Sequence, residues 1–591
     1  MSDSNQELEK LFGDRKYPKK VMFKRLYGYF KDQRVRLFVA FILMILSVVC
    51  EAAIPYLAKI VTEKLEIAEG QPFTVILTFV IAFLIMNILG QVFLYFQSMI
   101  LQKAGQKVVY KMRMEVFSHI ENMSQNQLND MPVGALVTRV ANYTQSVSEL
   151  FTTILINLVK NFLTIIISAS VLFFLNYKVA FVTLVFVALV FVYSLIFSNV
   201  IHSLFKEERR AFSDLNTFLS ENLSGMKITQ AFNQQVRKYK EFEGKSDYVR
   251  RIIFREIICF GVYRPFITLL YFSSVAVTFL LSKEFGVASA TAYAIYLYLT
   301  RFFEPVQHIA DQLNGVQKAI TSSERLFSLL DVPPEVLDSE DAVDIDHFEG
   351  HIEFKNVWFA YNKDEWILKD VSFEIKPKET CAFVGATGAG KTTILSLIVR
   401  NFEIQKGQIL IDGIDIKKIK IKSLRKAIGQ MLQDVFLFSG TIKENITLHD
   451  ESISDEEVIK ACEYVNADKF INETEKGLYK EVIENGENYS QGQRQLLSFA
   501  RTMVHKPQIL ILDEATANID TETEVLIQDS LEKMKIVGTM LVVAHRLSTV
   551  QKADQIIVLQ NGEVKEKGNH QQLLKQRGLY YKLYELQYQD N

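Results

Sequence analysis

The sequence predicts two joined parts. One is an α-helical transmembrane domain of six helices with long intracellular extensions; the other is an α/β domain built around a phosphate-binding loop. Three observations carry this. Apolar runs long enough to cross a bilayer fall before residue 305. The stretch Gly385–Thr393, GATGAGKTT, fits G-x-x-x-x-G-K-[ST]. The apolar run Ile509–Leu512 ends in the carboxylates Asp513 and Glu514. At 591 residues the chain is too long for one globular domain. Its 49% hydrophobic content beside 23% charge suits an oily half joined to a water-soluble one.

Residues 1–36 form a basic leader that includes Lys19, Lys20, Lys24, Arg25, Arg34 and Arg36. It has no signal-peptide pattern and reads as an attached membrane-surface segment. Residues 37–330 are the transmembrane domain, with runs near Leu37–Leu57, Phe73–Phe96, Phe151–Leu175, Val179–Phe197, Ile258–Leu281 and Val287–Phe303. The basic segments near Lys103–Arg139 and Lys206–Arg255 lie inside by the positive-inside rule, whereas Asn176–Lys178 and Ser282–Phe285 are short outer turns. Both termini and the carboxy-terminal domain are therefore expected in the cytoplasm, on a multi-pass protein of the cell membrane. Residues 331–349, acidic and carrying Pro333-Pro334, form a linker. From residue 350 to 591, strand patterns such as HIEFKNVWF give way to the phosphate-loop core.

The loop motif assigns roles directly. Gly385, Gly388 and Gly390 let backbone approach a phosphate at a helix start, and Ala386, Thr387, Ala389 and Thr393 complete the cradle. Lys391 would hold the β- and γ-phosphates, and Thr392 would coordinate magnesium. Asp513, at a strand end, is the second metal candidate, and Glu514 the general base for an attacking water. The ligands implied are ATP and Mg2+.

YSQGQRQ (Tyr489–Gln495) between these motifs resembles the signature carried by ATP-binding-cassette (ABC) ATPases. That resemblance implies a type IV exporter half-transporter, and it gives further positions a meaning. Tyr361 matches the adenine-stacking aromatic. Gln433 matches the glutamine that links magnesium and water to the membrane domain. Asp520 matches the loop aspartate that communicates across the nucleotide-domain dimer, and His545 the switch histidine at the γ-phosphate. Ser490, Gly492 and Gln493 would face the nucleotide of a partner domain. The family signature is LSGGQ, so Tyr489 and Gln491 are departures. Gln491 places a side chain where backbone comes closest. A sound Glu514 beside an altered signature resembles one subunit of the bacterial heterodimeric multidrug exporters. The function implied is ATP-driven export of hydrophobic or amphipathic compounds; lipid or lipopeptide flipping, or an ATP-gated channel on the same scaffold, are the alternatives. By resemblance, turns near Val140–Ser146 and Phe212–Leu219 would be coupling helices.

A net charge of −2 carries no signal for nucleic acid. Cys50, Cys259, Cys381 and Cys462 lack metal or disulfide spacing. No internal repeat supplies a second half, so the expected partners are another half-transporter, membrane lipid and a hydrophobic small-molecule cargo. Asn445-Ile-Thr447 and Asn488-Tyr-Ser490 match a glycosylation pattern by chance. Inside the membrane runs, Glu51, Asn87, Gln91 and Arg264 are the polar handles on cargo. Glu51 and Arg264 either line a cavity, form a structural pair or lie at the membrane interface. Tyr263, Tyr271, Phe272, Tyr293, Tyr296 and Tyr298 either line it or pack helices.

Overall fold

The computed structural model describes residues 17–66, 73–129, 131–362, 365–513, 521–543 and 550–588. Two compact units emerge. One comprises Met1–His119 with Val133–Val332, and the other Ile120–Pro132 with Pro333–Asn591.

The first unit is helical because apolar residues in a bilayer must satisfy their own backbone. Among the described residues six long helices follow in order: Arg34–Glu66, Phe73–Glu121, Val133–Leu175, Tyr177–Ser224, Gln235–Glu284 and Ser289–Leu330. The second, of 49 residues, is about 70 Å long at 1.5 Å per residue, far more than a bilayer needs. Five of the described helices are long and apolar enough to span a membrane; Ser289–Leu330 is not among them. That helix has the length, 42 residues, but its upper part carries Arg301, Glu304 and three tyrosines, which dilute the expected apolar run.

Local chemistry sets the turns. Asn176 caps the fourth helix, its Oδ1 accepting from Lys178 N at 3.0 Å and Val179 N at 3.2 Å. Gly286, at φ +65°, turns the chain between the fifth and sixth helices. The second and third helices approach closely at Gly105, where a Cβ would sit 2.6 Å from Thr152 Cγ2. Ahead of them, a short helix Lys19–Phe30 buries Met22, Leu26 and Phe30, spaced by four on one face. Its Arg25 forks onto Asp331 at 2.7 and 2.8 Å while stacking 4.4 Å from the Phe327 ring. The leader is thereby tied to the foot of the sixth helix.

The expected coupling turns are displaced. Val140–Ser146 and Phe212–Leu219 lie within the long third and fourth helices. The chain instead reverses at two short helices, Gln125–Asn129 and Met226–Ala231. The physical cause is local: Gly225 ends the fourth helix and Asn233 takes φ +52° after the turn, while nothing breaks helical periodicity earlier. The third helix is locally widened to π geometry at Arg139–Tyr143 and Leu150–Ile154.

The second unit contains two main sheets and a small antiparallel pair, β7 (Gly440–Thr441) with β8 (Glu481–Val482). An antiparallel sheet has the order β2-β1-β4-β5, from β1 (Ile352–Ala360), β2 (Trp366–Ile375), β4 (Lys406–Ile411) and β5 (Ile414–Asp415). The larger sheet has the order β12-β11-β3-β10-β9-β6, from β3 (Thr380–Val384), β6 (Ile428–Met431), β9 (Ile509–Asp513), β10 (Thr539–Val543), β11 (Gln555–Gln560) and β12 (Glu563–Gly568). Strands β3, β6, β9, β10 and β11 run parallel, and β12 is an antiparallel edge. β3, β9 and β10 are buried almost throughout, as continuous apolar runs require when both faces are covered.

Buried polar groups pin the loops. Asn445 accepts from Phe438 N at 2.8 Å and donates to Phe438 O at 2.7 Å. Asn488 likewise binds Ile483 N and Glu481 O, so both glycosylation matches are structural asparagines. Burial raises the thiols of Cys381 and Cys462, the latter to about 12, which leaves both as unreactive core side chains. Arg400, 3% exposed, donates to Leu337, Ile416 and Ile419 carbonyls and pairs with Glu403 at 2.8 Å. We expect Arg400→Ala to destabilise the full chain by about 3–5 kcal/mol, because three carbonyls and a carboxylate lose their partner. Denaturation of the purified protein measures it; a loss under ~1 kcal/mol contradicts this account.

Candidate functional site

The carboxyl ends of β3, β6 and β9 converge on one edge of the parallel sheet, the usual place for a ligand in such folds. After β3 the chain enters residues 385–390 and then the helix Lys391–Ile398. Gly390 begins this helix at φ +101°, and a Cβ there would meet Leu368 Cδ2 at 2.6 Å. At Gly385 a Cβ would land on Leu559 O, whereas Gly388, at φ +81°, faces open space. The loop is thus shaped on the protein side by contacts that admit only glycine.

Lys391 is 6% exposed, and its ammonium donates to Gly385 O at 2.8 Å and Ala386 O at 3.1 Å. The lysine therefore braces the loop that it follows. Thr392 Oγ1 lies 3.3 Å from Asp513 Oδ1, joining the helix start to the end of β9. Thr387 is exposed in the loop, while Ala389 and Thr393 are buried beneath it. Tyr361 packs edge-on against Phe359 and Phe402, with its hydroxyl 3.1 Å from Thr393 Oγ1. Its ring is held in place but 39% exposed. Gln433 is exposed two residues beyond β6. Glu514, Asp520 and His545 lie outside the described residues; β9 and β10 lead to the first and last of them, and Val543 pairs with Asp513.

The signature builds a helix start. Ser490 caps the helix Gln491–Val504 in a reciprocal box: Ser490 Oγ accepts from Gln493 N at 3.2 Å, and Gln493 Oε1 accepts from Ser490 N at 3.1 Å. Gly492 is buried and Gln491 exposed. Tyr489 is a core residue, 6% exposed, with its hydroxyl on Glu481 O.

These residues fit ATP and Mg2+. The loop supplies a backbone cradle at a helix amino terminus beside a buried lysine, which suits phosphate. A hydroxyl and a carboxylate oxygen side by side are the hard donors that magnesium takes.

A second polar cluster sits among the membrane helices. Around a cavity of about 680 Å3, Glu51 of the first helix meets Lys160 of the third at 3.0 Å and Arg301 of the sixth at 4.0 Å. Asn87, Gln91, Asn157, Asn161 and Gln312 also line it, and no aromatic does among the described residues. Glu51 therefore does not pair with Arg264, whose guanidinium lies over Phe260 on an open groove of the fifth helix. Two of the aromatics pack between helices: Tyr263 stacks 3.9 Å from Phe197, and Tyr298 is buried with its hydroxyl bonded to Ala52 O, whereas Phe272 lines the open groove beside Arg264. Lys160, Arg301 and Glu304 were missed in the sequence reading, although charges inside or beside apolar runs are a visible signal.

Helical membrane unit, parallel-sheet phosphate loop and signature helix together define an ABC transporter. The family model described as the ABC transporter transmembrane region matches residues 37–299, and that described as ABC transporter matches 368–517. A Bacillus subtilis relative named "Probable multidrug resistance ABC transporter ATP-binding/permease protein YheH" is 38% identical over 84% of this chain and 74% of its own. An ATP-dependent lipid A-core flippase of Syntrophus aciditrophicus is 30% identical over 96% of this chain and 95% of its own. A solved structure of a bacterial Atm1-family ABC exporter with ATP bound superposes with a TM-score of 0.77 at 25% identity, covering 94% of this chain and 98% of that one. The chain belongs to the ABC transporter family, a multi-pass membrane protein with an ATP-hydrolysing domain and the fold of an exporter.

A stacking role for Tyr361 has a direct measurement. Tyr361→Ala is expected to weaken ATP binding about 5- to 20-fold, roughly 1–2 kcal/mol, with Tyr361→Trp keeping affinity. Equal affinity of the alanine variant in nucleotide titration would place the adenine elsewhere.

Proposed function

We propose that this chain is one half of an ATP-driven exporter of hydrophobic or amphipathic compounds. The observation that carries this is the meeting of Lys391, Thr392 and Asp513 at one sheet edge, in a chain whose membrane unit encloses a cavity. Thr392, Asp513 and Gln433 would hold magnesium, which would neutralise charge on the phosphates during transfer. Lys391 and the backbone of Gly385–Gly390 bind the phosphates; Glu514 takes the proton of the attacking water, and His545 senses the γ-phosphate. The domains 1–36, 37–330, 331–349 and 350–591 serve as leader, membrane domain, linker and motor, with both termini in the cytoplasm. The short helices Gln125–Asn129 and Met226–Ala231 are the candidates for passing motor movement to the membrane helices. Within the carboxy-terminal unit the former is held by Gln127, which donates to Pro333 O at 2.9 Å, and by Ser124 on Glu335 at 2.8 Å.

The partner is a second half-transporter of different sequence. Gln491, exposed at the first turn of the signature helix, supports this, since it adds bulk on the surface that would meet the partner's nucleotide. This chain's Lys391, Thr392, Asp513 and Glu514 then pair with an intact partner signature to make the fast site, and its own Ser490, Gly492 and Gln493 complete a slow one. Lipid flipping is the second reading, favoured by the relative of that name and by the polar cavity.

Two measurements test these roles. Glu514→Gln is expected to keep ATP binding and cut hydrolysis by at least about a hundredfold, the scale of a lost general base. Turnover within about twofold of the parent would remove Glu514 from that role. For assembly, the chain expressed alone is expected to show little ATPase, rising on co-expression with a half-transporter that carries LSGGQ. A stable homodimer with full, substrate-stimulated turnover sinks the heterodimer.

A further inference from the structure

We infer that the membrane cavity contains a subsite for a zwitterionic head group, so that this half of the transporter selects amphiphiles whose polar end carries both charges. The inference rests on the export reading above and names its cargo class.

Among the described residues four ionisable side chains border the cavity, Glu51, Lys160, Arg301 and Glu304, and their formal charges cancel. They come from three helices far apart in sequence, so the balance arises only on folding. Glu51 holds Lys160 at 3.0 Å and reaches Arg301 only at 4.0 Å. Both cations therefore lie on one carboxylate, and the second carboxylate, Glu304, stands on the same helix as Arg301. An incoming anionic group can share Lys160 and Arg301 with Glu51, while its tethered cation is offset by Glu51 and Glu304. A lone charge would leave this partly buried cluster between membrane helices unbalanced, which is costly.

The rest of the lining agrees. Five of its thirteen described lining residues are asparagine or glutamine, whose amides can each donate and accept. Gln312 Oε1 is buried and has no hydrogen-bond partner among the described residues, so one acceptor there is available to a ligand donor. No aromatic lines the cavity among the described residues, so the ring faces that recognise a lone organic cation are not supplied. A merely structural ion pair explains Glu51 and Lys160 alone. It does not explain why a second cation, a second carboxylate and an array of amides open on the same space.

The experiment uses the active complex reconstituted in lipid nanodiscs and three dodecyl probes below their micellar concentrations: phosphocholine, trimethylammonium and sulfate. The readout is the concentration giving half-maximal ATPase stimulation. For the parent, phosphocholine is expected to act at about fivefold lower concentration than either singly charged probe. Lys160→Gln should move the preference to trimethylammonium, and Glu51→Gln to sulfate. The double variant Glu51→Gln/Lys160→Gln, which restores balance and keeps two hydrogen-bonding amides, should return it to phosphocholine. Because each comparison is between variants of this chain, the partner's contribution cancels. Uniform shifts for all three probes, or an unchanged order, overturn the subsite and leave export standing. Absence of any ATP-driven movement of amphiphile into inverted vesicles, with basal ATPase intact, would instead overturn the export reading.

Discussion

A peptide group in a bilayer has no water to bond, and that constraint governs the first 330 residues. Each membrane segment closes its own hydrogen bonds as a helix, so the unit can be assembled only by laying helices side by side. Irregular backbone is confined to places where something replaces the missing partner. Asn176 supplies the turn between the third and fourth helices, its Oδ1 accepting from Lys178 N and Val179 N. The same requirement makes the charged cluster informative. Glu51, Lys160, Arg301 and Glu304 are tolerable between helices because their charges offset one another, and tolerance of that kind is kept where polar groups have work to do.

The motor unit obeys a related rule in water. Its apolar strands are covered on both faces, which leaves strand ends and helix starts as the places where polar chemistry is exposed. The phosphate loop and Asp513 occupy such places. Lys391 bonds the loop's own carbonyls, and Thr392 leans on Asp513, so the site is braced by the groups expected to bind ligand. The signature helix is held by its own capping box, and Tyr489 substitutes aromatic packing for the family's leucine. Of the two departures from the family signature, then, one is a matter of the core and only Gln491 faces outward.

The candidate nucleotide site is written in local motifs. GATGAGKTT encodes a loop and a helix start in consecutive residues, and ILILDE encodes a buried strand with carboxylates at its end. The reversals of the chain were harder to read. Periodicity reports that a helix continues, but the reversal depends on Gly225 and Asn233, whose effect is conformational and small in any hydropathy pattern. The character of the cavity was not legible either. The aromatics of the fifth and sixth helices could either line a cavity or pack helices; among the described residues none lines the polar cavity, whereas amides do.

By itself the sequence determined the order of the parts, the helical nature of the membrane unit, the family and the motif of the candidate phosphate loop. These follow from the lengths of apolar runs and from residues adjacent in the chain. Tertiary structure alone decided that Glu51 belongs with Lys160 and Arg301 and not with Arg264, and that Arg400 holds the carbonyl of Leu337. It also decided that the four cavity charges share one space. Such pairings join residues tens to hundreds of positions apart. Which of several possible partners a charge takes depends on helix rotation, and rotation is set by packing that no single segment encodes.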